Sequence, residues 1–433
     1  MRAGSGGIVA GVAAGVLVLA GCEGGAAAPA RQAEAVPSRP VVSASPDGRD
    51  AADALGHARW TRLPDPPGGQ SVGPVIVWDG TELLAVGGAR SVMSRPPGTV
   101  PPGSPERPTA TVSPATSAGA FDPVARPWWR DLAPAPFAVV AGAAHAVWTG
   151  QALFVLTDTG RAALLDPAAN RWTPVDRPPL TLPGTLAVTA SHGHAVVVDQ
   201  PGDGERAAPT QVAILDGGTN TWQRADPPAV RGHDQQFPAV LGVGDDVVLW
   251  SMWSRQEALS PNSVAMHAGV DVFRLSAGSW RTVTGAWPQG QGVNDPMAAG
   301  SQLVVPPAQV WCGRLCSHPA PLGAQGHLVD ARTLATTALP HGPLDDLGPR
   351  YVWTGRALLA LAPTGMSRAA DGTTTGPADG AVWDPASSRW TRLPAAPADL
   401  DGGVAPVWGA HRAFVLTVGG SVLMLGAPLG TGG

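Results

Sequence analysis

No lysine occurs anywhere in these 433 residues, so all 28 basic side chains are arginine. Charged residues make up only 14% of the chain, and its net charge of -5 has no basic stripe behind it, which removes the electrostatic footprint of a nucleic-acid binder. Cysteine is scarce at three, and tyrosine occurs once, at Tyr351. Against these shortages stand 56 glycines, 46 prolines and 16 tryptophans. Frequent turn residues between short apolar runs argue against long amphipathic helices and for many short strands.

The first residues read as an address. Arg2 supplies a positive start and Ile8 to Leu19 an apolar run of signal-peptide length, too short to be a comfortable membrane span. Leu19-Ala20-Gly21-Cys22 follows and resembles the bacterial lipobox, in which cleavage falls before the cysteine and its thiol carries lipid. The resemblance implies a lipoprotein signal peptide over 1–21, lipidation of Cys22, and an extracytoplasmic protein anchored to the cell membrane only through that lipid. An ordinary secretory signal with an incidental cysteine is the alternative. Residues 22–55 are rich in Ala, Pro and Ser and cannot bury a core, which makes them a tether.

Setting Cys22 aside leaves Cys312 and Cys316 in WCGRLCSH. In an exported protein this pair argues for a disulfide, with a metal site beside His318 as the rival; two Cys and one His fall short of a four-ligand zinc set. No cofactor is implied.

One phrase returns along the chain. It reads AFDPVARPWWRDLAPAP from Ala120, LLDPAANRWTPVDRPP from Leu164, ILDGGTNTWQRADPP from Ile214, VFRLSAGSWRTV from Val272, LVDARTLATTALP from Leu328 and VWDPASSRWTRLPAAP from Val382. A half copy, ARWTRLPDPP, starts at Ala58. Marking the phrase at Trp60, Trp129, Trp172, Trp222, Trp280, Leu334 and Trp390 gives intervals of 69, 43, 50, 58, 54 and 56 residues. Between the marks lies a second phrase, strand, tight polar turn, strand, as in VWDGTELLAVGG and VWTGQALFVLTDTG. Together they make four strands per repeat.

This pattern resembles the kelch family, with Gly-Gly after the second strand kept at Gly87-Gly88 and Gly419-Gly420 and a Trp on the fourth strand. The family's usual Tyr is missing. The resemblance implies an all-β, seven-bladed β-propeller of four-stranded antiparallel blades over 56–428. The chain starts with a lone fourth strand, Ala58 to Pro64, and finishes with three strands, so the N-terminal strand is expected to pair into the C-terminal blade and close the ring.

In such a ring the links from strand two to three and from strand four to the next strand one share a face. The two-to-three links are long (89–117, 199–209, 251–268, 306–325 and 362–378), which loads variation onto that face. Its four-to-one links carry the candidate binding residues His233, Asp234, Gln235, Asn294, Asp295, Asp345, Asp346 and Asp401. Each is equally a turn former. The repeated Trp reads as core packing, the Asp-Pro pairs as turn chemistry and His192-Gly193-His194 as a hairpin turn on the opposite face.

The sequence-based expectation is a binding module for a protein, peptide or glycan. The alternative is a carbohydrate-active enzyme using paired carboxylates at the channel mouth. Galactose oxidases among kelch-type propellers need tyrosines at copper, which a chain with Tyr351 alone does not offer, and no Ser-x-Asp-x-Gly-x-x-Trp box of sialidase-like rings is present. No catalytic residue emerges.

Overall fold

The computed structural model describes residues 55–66, 73–94, 109–181, 185–200, 210–228, 236–260, 263–276, 278–286, 296–307, 326–344, 349–362, 380–395, 406–417 and 421–427. Their secondary structure is almost entirely strand and turn, arranged as seven four-stranded antiparallel sheets and one separate two-stranded ribbon. In chain order, blade 1 runs from Val75 to Leu132 and blade 2 from Ala144 to Val175. Blade 3 spans Thr185 to Arg224, blade 4 Gln236 to Ala286, blade 5 Met297 to Leu339 and blade 6 Arg350 to Arg392. Blade 7 joins Val407–Gly409, Arg412–Leu416 and Val422–Gly426 to Arg59–Arg62 from the start of the fold. The first strand of every blade neighbours the first strand of the next, and blade 7 meets blade 1 in the same way, so the fold is a closed seven-bladed β-propeller.

Closure is the antiparallel register Arg59↔Gly426, Trp60↔Leu425, Thr61↔Met424 and Arg62↔Leu423, as the split repeat requires. Second strands such as Leu83–Val86, Leu153–Thr157 and Leu358–Leu361 are buried at every position. They lack the usual alternation because each blade is covered on both faces by its neighbours. Outer strands such as Thr221–Arg224 and Arg389–Arg392 carry the exposed polar positions.

Each joint between blades has its own apolar cluster. Between blades 7 and 1, for example, Leu83 and Phe121 meet Phe414, Leu416 and Met424, with Trp78 stacked on Phe414 at 5.8 Å and 12°.

The repeated Trp does more than fill space. Its indole N–H donates to a backbone carbonyl just beyond the outer strand of the preceding blade. The pairs are Trp129 to Pro64 (2.8 Å), Trp172 to Ala133 (2.7 Å), Trp222 to Asp176 (2.8 Å) and Trp280 to Ala225 (2.8 Å). Trp390 to Pro340 (2.9 Å) and Trp60 to Pro394 (3.1 Å) continue the series across the seam. Only the joint between blades 4 and 5 lacks the bond among the described residues.

There the structure corrects the repeat mark. Strand pairing sets Thr336 opposite Val329, as Trp172 is opposite Leu165 and Trp390 opposite Trp383, so Thr336 occupies the tryptophan position. Leu334 is instead the turn residue with positive φ (59°), equivalent to Asn170 (49°), Asn220 (55°) and Ser388 (54°). The mark falls two residues early because the tryptophan position here holds a polar residue while Leu334 is apolar. Leu334 does pack into the joint, against the cluster containing Val270 and Val329, and a Cβ on Gly285 would come within 2.8 Å of its Cδ1.

Candidate functional site

Antiparallel order within each blade sends the first and third turns to one face and the second, together with the link to the next blade, to the other. The expected two-to-three links are partly regular structure. In blade 1, Ala89–Ser94 pairs with Thr109–Pro114 as a separate ribbon. In blade 4 the second and third strands run on far past the sheet, as Asp246–Ser260 and Ser263–Ser276, paired from Val247↔Leu275 to Ser260↔Ser263. The first and fourth strands stop at Gln236↔Met252 and Gly269↔Ala286, so the part beyond them is a two-stranded arm. At 3.3 Å per residue its eight or so residues reach about 25 Å from the disc. Both ribbons rise from the face expected to vary.

The predicted binding residues His233, Asp234, Gln235, Asn294, Asp295, Asp345, Asp346 and Asp401 lie outside the described residues, as do Cys22, Cys312 and Cys316. Among the described residues no group of His, Cys, Asp and Glu is placed to hold a metal ion, and no helix is long and apolar enough to cross a membrane.

The opposite face is built from repeated turns. Asp166 Oδ1 accepts the N–H groups of Ala168 and Ala169 (both 2.9 Å), and Asp216, Asp330 and Asp384 do the same in their blades. These aspartates are turn formers, as expected from their place before the Trp. Burial pushes the Asp216 carboxyl up, but the N–H groups of Gly218 and Thr219 outweigh it, and its pKa falls below the ordinary value. Asp330 is lowered chiefly by the N–H of Arg332. In Asp384 burial opposes the shift, and Ser387 with Ala386 prevails to lower it. His192 and Gly193, both at positive φ (52° and 81°), form the two-residue bend between Ser191 and His194, and His192 stays exposed 3.9 Å from Asp245.

The turn face also holds something the repeats did not announce. At one equivalent rung of the first strands, blades 6, 7, 1 and 2 carry Trp353, Trp408, Trp78 and Trp148, whereas blades 3, 4 and 5 carry Ala190, Gly242 and Ala298. All four indoles are half-buried. Trp148 walls a cleft of about 330 Å³ between blades 1 and 2, shared with Asp79, Glu82, Arg130, Gln151 and Asp166. Arg130 donates to both oxygens of Glu82, Nε at 2.9 Å and one terminal nitrogen at 2.5 Å. That bond, opposed by burial, raises the Arg130 pKa. Asp79 Oδ1 holds its own turn through the N–H groups of Thr81 and Glu82 (both 2.7 Å). The VWDG and VWTG phrases contain Asp79 and Trp148, but not their meeting across the joint between blades 1 and 2.

No family model matches this chain, and no curated protein matches it. Among solved structures, YCF48 from Cyanidioschyzon merolae aligns at 12% identity with a TM-score of 0.49, over 85% of this chain and 98% of that one. The blade count stands on the strand pairings themselves.

Proposed function

We propose that this chain is a kelch-like, lipid-tethered binding propeller outside the cytoplasm, which holds a partner protein through the face bearing the two ribbons. The observation that carries this reading is the one-sided placement of the ribbon 89–94/109–114 and the arm beyond Met252 and Gly269. A rigid closed scaffold with its long excursions on one face is suited to recognition. An arm of two strands exposes unpaired backbone edges, which an extended polypeptide can extend by strand addition. The variant Cys22→Ser, which lacks the thiol that would carry the lipid, tests the anchor and should move the protein from the membrane to the soluble fraction.

Affinity capture from solubilised membranes tests the partner. The intact protein retains a stoichiometric polypeptide, and a variant with residues 253–268 replaced by Asn-Gly loses it. A protein that comes down alone while hydrolysing a glycan overturns the reading in favour of an enzyme.

A further inference from the structure

We infer that the cleft between blades 1 and 2 on the turn face binds an arginine-type side chain, a planar organic cation, independently of the ribbon face. Three features coincide there. An open volume of about 330 Å³ separates two blades that are otherwise in apolar contact. One wall is the half-buried indole of Trp148, a surface over which a guanidinium stacks. The lining carries three carboxylates, Asp79, Glu82 and Asp166, and one cation, Arg130, which leaves a surplus of two negative charges.

The existing bonds do not spend that surplus. Arg130 and Glu82 neutralise each other. Asp79 and Asp166 each commit Oδ1 to their turns, and the second oxygen of each has no hydrogen-bond partner among the described residues. Arg171 stands opposite Asp166 in the ladder without an ion pair to it. The carboxylates are not grouped as metal ligands, so a hard cation is not the fit. A side chain with five N–H donors and a flat π-face has the chemistry to meet an indole, carboxylate oxygens and a side-chain amide, all of which line this cleft. An anion is repelled.

Ligand-detected NMR titration of the intact protein tests this with N-acetylarginine amide and its neutral twin N-acetylcitrulline amide. The arginine compound is expected to saturate, and the citrulline compound is not. In the double variant Asp79→Asn, Asp166→Asn the amide oxygens keep both turns, so binding weakens roughly tenfold or more while the unfolding midpoint stays put. Gln151→Glu, at an exposed turn position, shifts affinity the other way and tightens binding severalfold. Equal binding of the twins, preference for methyl glucoside, indifference to both variants, or no saturable binding overturns the proposal. None of these results bears on capture by the ribbon face.

Discussion

The indole nitrogen of Trp60 lies 3.1 Å from the carbonyl oxygen of Pro394, joining two residues 334 positions apart. The same bond is made by Trp172 to Ala133 between blades that are consecutive in the chain. The seam of the ring is therefore built like an interior joint. Phe in place of Trp keeps most of the ring and deletes the donor, at a cost of about 1 kcal/mol. Trp60→Phe and Trp172→Phe should thus lose equal stability in denaturant unfolding. A seam variant with no loss would mean that the latch is not formed in solution.

The split repeat makes this seam legible in the sequence, since a lone fourth strand at Ala58 and three orphan strands at the end can complete one another. Turn chemistry was legible too, because Asp166, Asp216 and Asp384 sit at fixed offsets before their Trp. Leu334 was misread because apolar character carries no information on φ, and the rung that belongs to tryptophan holds Thr336. The Trp148 cleft escaped because its walls come from two repeats, and a single repeat unit encodes only its own half. Regular pairing in the blade 4 arm escaped because its sequence, SRQEALSPNS, lacks apolar alternation.

The turn between Gly409 and Arg412 uses Ala410 at φ 47° and His411 at φ 57°. Both are in the left-handed region without being Gly, Asn or Asp, at a cost of order 1–3 kcal/mol each. Ala410→Asn with His411→Gly supplies the residues that this hairpin favours. The double variant should unfold at higher denaturant, gaining at least about 1 kcal/mol. No gain would show that the bend is not strained.

Gly409, one residue earlier, is required for a different reason. A Cβ there would fall inside the Trp78 indole, which is itself held by Phe414. Gly409→Ala must push a rigid ring at the joint of blades 7 and 1, and should cost about 1–3 kcal/mol. Gly217→Ala, with its nearest neighbour at 3.8 Å, should be close to neutral in the same measurement.

Acid should loosen the outer turns together. Asp216, Asp330 and Asp384 all have carboxyls held below the ordinary carboxylate range, with backbone N–H groups of their own turns among the causes in each. A depressed carboxyl stabilises the fold fully above its unfolded value, and that contribution is lost as pH falls through the folded one. Stability should therefore hold down to about pH 4 and then decline. Asp330→Asn keeps an acceptor but removes the charge, so its decline below pH 4 should be shallower than that of the unaltered protein.

In blade 4, Asp271 is fully buried, and Thr284 on the neighbouring strand donates its hydroxyl to it at 2.6 Å. Ser251 faces Asp271 across the ladder and is also fully buried. Thr284→Val preserves shape and deletes one donor to Asp271, so the loss should be about 1–3 kcal/mol. If that cost acts through Asp271, Thr284→Val should cost less when Asp271 has already been replaced by Val. The cycle of Thr284→Val, Asp271→Val and the double variant measures this directly. A double variant whose loss equals or exceeds the sum of the two singles would show that the pair is not coupled in this way.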